Sequence, residues 1–92
     1  MAKYLIEVPH EANKEACDRA IRVFMDSGSH FLVNAEWGCG DGEHKAWMIV
    51  DVENKDQARL IVPPFYRPQT RIVGLTRWQL GAGDIVLPHH GS

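Results

Sequence analysis

The chain has 92 residues, of which 45% are hydrophobic and 24% charged, and a net charge of -2. That length sets one domain with a modest core, about two thirds of the unfolded surface being buried on folding, and the composition excludes a disordered chain. The charge balance gives no general attraction for phosphate backbones or anionic lipid, which need clustered Lys and Arg; the local grouping of interest is Arg67, Arg71 and Arg77.

The opening MAKYLIEVPHE turns polar too early for the ~7–15 residue apolar core of a secretory signal. No stretch approaches the ~18 apolar residues of a membrane helix. Two cysteines, Cys17 in a helical pattern and Cys39 in a Gly-rich loop, give no disulfide framework, so a cytoplasmic location is the expectation.

Residues 3–8, KYLIEV, predict the first strand, ended by Pro9, which cannot donate to a sheet ladder. From Glu11 to Asp26 the apolar Cys17, Ala20, Ile21 and Phe24 recur at i, i+3, i+4 and i+7 and predict an amphipathic helix that stops at Ser27-Gly28. Residues 31–37, FLVNAEW, predict a second strand, with Asn34 and Glu36 on one face and Val33, Ala35 and Trp37 on the other. Gly38 to Gly42 then form a turn, and Lys45 to Val52, KAWMIVDV, a third strand, so that the two strands make a hairpin. Asn54 caps a second helix, with Gln57 three residues on and Ala58, Leu60, Ile61 and Val62 as its apolar face, until Pro63-Pro64 halts it. Thr70 to Leu80 predicts the fourth strand.

The order β-α-β-β-α-β predicts an α+β fold of the ferredoxin-like kind, a four-stranded antiparallel sheet with two helices on one face. Residues 1–80 form this domain and 81–92 a flexible C-terminal tail, in which the apolar Ile85-Val86-Leu87 suits pairing with a neighbouring strand or a partner subunit. His89-His90 is a possible metal-binding tail, against the plainer expectation of a frayed end with a cloning-derived Gly-Ser.

A period of two sorts the strand residues into faces. Tyr4, Ile6, Val8, Met48, Val50 and Val52 suit the helix-covered core. The other face takes Leu5, Glu7, Asn34, Glu36, Trp47, Ile49, Asp51, Ile72, Thr76 and Trp78. Such a mixture of carboxylates, amide and indoles suits either a ligand pocket or a wet interface between two copies.

The opening YLIEV, the segment VDVENKDQARLIVPP and the element order together resemble the dimeric α+β barrel proteins, particularly muconolactone isomerase and its relatives, over residues 3–78. The resemblance implies a homodimer whose sheets enclose a cavity, with cofactor-free isomerase, monooxygenase or decyclising chemistry, and it implies an inward-facing carboxylate at Glu7. The central SGSHFLVNAEWGCGDGEHKAW has no counterpart in that enzyme and resembles instead a group of uncharacterised small bacterial proteins, which brings no activity with it.

Two sets of side chains carry candidate chemistry. In the first, Glu7 and Glu36 on adjacent or next-nearest strands form a proton-shuttling pair, His30 acts as general acid or base, and Asn34, Trp47 and Trp78 bind a small, partly apolar molecule, without any cofactor. Set against this, the glutamates would simply be solvated or paired with Arg71 or Arg77, and His30 would close a helix end. In the second set, Cys39 and His44, with His10 or His30 as a third group, would bind zinc or copper in a noncatalytic metal-binding or interaction module. The glycines of GCGDG match neither phosphate-binding pattern and are better explained by a tight turn.

Overall fold

The computed structural model describes residues 1–81 and 84–86. Strand β1 (Ala2–Pro9) is followed by helix α1 (Lys14–Asp26), a short helix α2 (His30–Val33), strand β2 (Glu36–Trp37), strand β3 (Lys45–Val52), helix α3 (Lys55–Ile61) and strand β4 (Arg71–Leu75). A separate hairpin pairs β5 (Gln79–Gly81) with β6 (Asp84–Val86). The main sheet is antiparallel with strand order β2-β3-β1-β4. This is the order that two interleaved β-α-β units produce, and it makes β1 and β3 the central strands.

The helix starts follow from side chains that replace missing backbone partners. Asn13 accepts the Ala16 N–H at 2.8 Å to open α1, and Asn54 accepts the Gln57 N–H at 2.9 Å to open α3. Helix α1 closes where Ser27 Oγ donates to the Phe24 carbonyl at 2.7 Å and Gly28 takes a left-handed φ of 74°. Beyond α3, the Arg67 guanidinium donates to the carbonyls of Val62 and Leu60, while Arg59 donates to those of Arg67 and Thr70. Arg67 is thus committed to backbone and does not join Arg71 and Arg77 in a free basic patch.

Alternation in β1 and β3 puts Tyr4, Ile6, Val8, Ala46, Met48 and Val50 under the helices, where they pack with Ala20, Phe24, Leu32, Ala58, Val62, Tyr66 and Ile72. Phe24 is fully buried, with its ring 4.9 Å from Trp37 and 6.1 Å from Tyr66. Both α1 and α3 contribute to this one layer, and among the described residues no helix covers the opposite face, where Ile49 and Asp51 are exposed.

Three expectations change. The predicted second strand over 31–37 is helical at His30–Val33, where Ser29 accepts the Leu32 N–H at 3.4 Å, and only Glu36 and Trp37 pair with β3. The fourth strand leaves the sheet at Leu75 rather than Leu80, because Leu75 already pairs with Lys3 and β1 has only Ala2 left to offer. Ile72 faces the core rather than the open face, since its partner in the ladder is the fully buried Ile6. Among the described residues no helix is long and apolar enough to cross a membrane. The His89-His90 tail, Leu87 and the final Gly-Ser lie outside the described residues.

Candidate metal centre

The β1–β3 ladder ends at Pro9 opposite Lys45, and one further backbone bond, His10 N–H to the His44 carbonyl at 3.0 Å, carries the two histidines to facing positions just beyond it. Their rings meet edge to face with centroids 5.7 Å apart. Between β2 and β3 the chain folds through a single 3-10 turn at Cys39–Asp41: the Gly38 carbonyl accepts from Asp41 and Glu43, and Gly38 N–H donates to the Lys45 carbonyl. That turn aims Cys39 back towards the start of α1.

Gly38 holds this turn by close approach rather than by unusual backbone. A Cβ there would lie 2.7 Å from the Glu43 carbonyl oxygen and 2.7 Å from Trp47 Cζ3. Gly38→Ala is therefore expected to cost about 1–3 kcal/mol through overpacking. Urea unfolding measures it, and an unchanged midpoint would show that the turn gives way freely.

One donor atom from each of His10, Cys39 and His44 lies within 4.8 Å of the others. His10 Nε2 is 3.3 Å from Cys39 Sγ. Cys17, in the first turns of α1 and only 9% exposed, brings its Sγ to 2.7 Å from that of Cys39. The cluster therefore offers two sulfurs and two imidazoles from four places in the chain.

Among the described residues, three buried side-chain nitrogens lack a hydrogen-bond partner: His10 Nδ1, His44 Nδ1 and Trp37 Nε1. All three belong to this corner, since the His10 and Trp37 rings are 5.9 Å apart. Buried polar atoms are normally satisfied; a histidine nitrogen can take a metal ion or a hydrogen-bond partner, whereas the Trp37 N–H, a donor only, calls for an acceptor. Burial, with His44 adding to it, lowers the His10 pKa and so disfavours its charged form. Burial first, and the neighbouring Cys17 second, push the Cys39 thiol up to about 11.

These donors fit a tetrahedral ion. Metal–sulfur and metal–nitrogen bonds of about 2.3 and 2.0 Å place two sulfurs about 3.8 Å apart and sulfur and nitrogen about 3.5 Å apart. The Cys39–His10 spacing of 3.3 Å is already close to the second value, and the two sulfurs at 2.7 Å open by about 1 Å to reach the first.

The other candidate residues lie apart from this corner: Glu7, Glu36 and Trp47 on the open face, His30 and Asn34 in the α2 segment, and Trp78 beyond β4. Glu36, Trp47, Glu7 and Arg71 stand in one row across four strands. Glu7 and Glu36 are thus on next-nearest strands with the indole of Trp47 between them. Trp47 Nε1 donates to Glu7 Oε1 at 3.2 Å, and Lys45 Nζ is 3.8 Å from Glu7 Oε2. His30 and Asn34 are in the α2 segment, the Asn34 amide donating to the His30 carbonyl at 2.8 Å, and they border a hollow against β3 residues 48–51. Trp78 lies beyond β4, in a groove with Lys3, Ile49, Asp51, Leu75 and Arg77. Trp47 and Trp78 do not share that groove, so a single ligand stacked by both indoles would need more surface than one copy brings together.

Sequence reasoning picked out His10, Cys39 and His44 and missed Cys17, whose place in the apolar stripe of α1 made it indistinguishable from a core residue. Comparison of the chain with protein-family models, with curated proteins and with solved structures found no match.

Proposed function

We propose that the chain is a zinc-binding module in which His10, Cys17, Cys39 and His44 hold one ion. The observation that carries this is the convergence of His10, Cys39 and His44, whose donor atoms lie within 4.8 Å of one another, with Cys17 reaching Cys39 at 2.7 Å, at the corner where the unsatisfied buried nitrogens concentrate. Two thiolates and two neutral imidazoles form a set that zinc prefers, and four protein ligands complete its shell. A closed shell leaves no position for a reacting water, so the ion ties elements together rather than performing chemistry. It also neutralises the charge that the two thiolates would otherwise bring into a partly buried corner, and binding displaces at least the Cys39 proton.

Zinc titration of reduced, chelator-stripped protein, followed by elemental analysis after desalting, tests this directly. One zinc per chain, lost when Cys39 and His44 are both replaced by alanine, is the expected result. Protein that leaves the column metal-free overturns the assignment, and stoichiometric copper with no zinc would replace the ion while keeping the site.

The open face supports a second, compatible role. Ile49 is 62% exposed and Trp78 54% exposed there, beside the partly covered Leu5, Trp47 and Val73. The row Glu36–Trp47–Glu7–Arg71 carries both signs of charge, so a twofold copy laid against it can meet opposite charges. We infer a homodimer through this face, which is the arrangement implied by the likeness to dimeric α+β barrels. Any cofactor-free isomerase or ligand-binding role for Glu7, Glu36, His30, Asn34, Trp47 and Trp78 depends on the cavity such a dimer would enclose. Ile49→Lys is expected to convert the dimer to monomer in sedimentation velocity while leaving the far-ultraviolet spectrum unchanged. A wild-type protein that sediments as a monomer at high concentration removes both the dimer and the cavity.

A further inference from the structure

Cys17 and Cys39 have a second chemistry open to them. Their sulfurs are 2.7 Å apart, on elements separated by 22 residues of chain, and nothing stands between them. A disulfide needs the pair to close to about 2.05 Å, whereas a shared zinc ion needs it to open to about 3.8 Å. The two states pull the same atoms in opposite directions and use the same electron pairs, so they exclude each other.

We propose that Cys17 and Cys39 are a thiol–disulfide couple that controls the metal site: oxidation by a peroxide joins the two sulfurs and releases the zinc ion. This rests on the zinc assignment above. Cys39 is half-buried and Cys17 buried, so Cys39 is the sulfur that meets the oxidant and Cys17 the one that resolves it. In the zinc-loaded protein the ion holds Cys39 as its thiolate, which attacks one peroxide oxygen; the O–O bond breaks, and a sulfenic acid forms with release of one water after protonation. The Cys17 thiolate then attacks the sulfenic sulfur and displaces hydroxide, which leaves as the second water. In sum, two thiolates, one hydrogen peroxide and two protons give one disulfide and two waters; the sulfurs lose two electrons and the peroxide gains them. A disulfide sulfur carries no negative charge, so two of the four ligands are lost and His10 and His44 alone do not retain the ion.

The exchange also preserves the architecture. In the reduced state the ion links α1 to the β2–β3 turn, and in the oxidised state a covalent bond links the same two elements. The corner is therefore cross-linked in both states, and what changes is whether a zinc ion is free or bound. A dithiol reductant reverses the step by thiol–disulfide exchange.

The test uses zinc-loaded full-length protein mixed with a small excess of hydrogen peroxide in the presence of a chromogenic zinc indicator. One zinc per chain is expected to appear in step with the loss of both titratable thiols and of two hydrogens from the intact mass, all within the monomeric chain. Dithiothreitol followed by zinc restores the starting state. Cys17→Ser is expected to bind zinc at least about tenfold more weakly, as loss of a supporting ligand does. Its Cys39 goes on to the sulfinic or sulfonic acid, so that release is no longer reversed by dithiothreitol. Oxidised protein that forms the Cys17–Cys39 disulfide yet keeps its zinc, peroxide that leaves zinc bound, or a disulfide formed between chains instead would each overturn the exchange while the zinc assignment stands. Reduced protein that never takes up zinc overturns the assignment itself, and with it the exchange, even if a disulfide still forms.

Discussion

Removing zinc from the reduced protein is expected to lower its Tm by about 15–30 °C, relative to protein held at a free-zinc concentration a thousandfold above its Kd. The size follows from mass action: a ligand at that excess that binds only the folded state adds about 4 kcal/mol, and each kcal/mol moves the Tm of a domain this small by about 4–8 °C. Differential scanning calorimetry at fixed free zinc, with and without a strong chelator, measures the shift. Cys39→Ala is expected to melt at one temperature in both buffers, because it removes the sulfur that lies between His10 and Cys17. If the wild-type protein also melts at one temperature in both, no ion is held by the folded state and the corner is only a cluster of buried polar groups.

The second large effect comes from the core. Phe24→Ala is expected to destabilise the fold by about 3–5 kcal/mol, a large share of the roughly 5–15 kcal/mol that holds a domain together. Phe24 is fully buried, with its ring 4.9 Å from Trp37 and 6.1 Å from Tyr66, so its loss leaves a cavity among aromatic neighbours. The consequence extends to the metal corner. Trp37 packs against Phe24 on one side and faces the His10 ring on the other, at 5.9 Å, so a loosened Trp37 weakens the hold on His10. Urea unfolding monitored by tryptophan fluorescence is expected to show the loss in the midpoint, and zinc titration of the same variant a fall in affinity. Val23→Ala, at a more exposed position on the same helix, is the control and should change stability by no more than about 0.5 kcal/mol. A Phe24 variant as stable as the control would mean that the ring is not a central packing element.

Much of the framework was legible from periodicity. The third strand runs over the same residues, Lys45–Val52, that the alternation of KAWMIVDV predicts, and Asn54 caps its helix as the pattern requires. Where the prediction differed, short-range pattern and long-range pairing disagreed. His30–Val33 is too short for a helical period to show, and the apolar FLV looks extended until the Ser29 cap is seen. The residues after Leu75 are good strand formers, yet they leave the main sheet because β1 has run out of partners. The metal corner divides in the same way. His10, Cys39 and His44 belong to types and positions that suggest ligation, whereas Cys17 acquires its meaning only from the turn that brings Cys39 to it across 22 residues. A cysteine on the apolar side of a helix is first of all a small hydrophobe, and no local pattern says otherwise.

That long reach in sequence also bears on kinetics. Cys39 meets His10, 29 positions away, and Cys17, 22 positions away, only after β1, α1 and the β2–β3 turn have docked. An ion whose ligands come from segments this far apart is expected to find few of them assembled at the folding barrier, so that its stabilisation falls on the native side of that barrier. Bound zinc is therefore expected to leave the refolding rate nearly unchanged and to act as a latch, lengthening the lifetime of the finished structure against spontaneous opening and against proteases that wait for it.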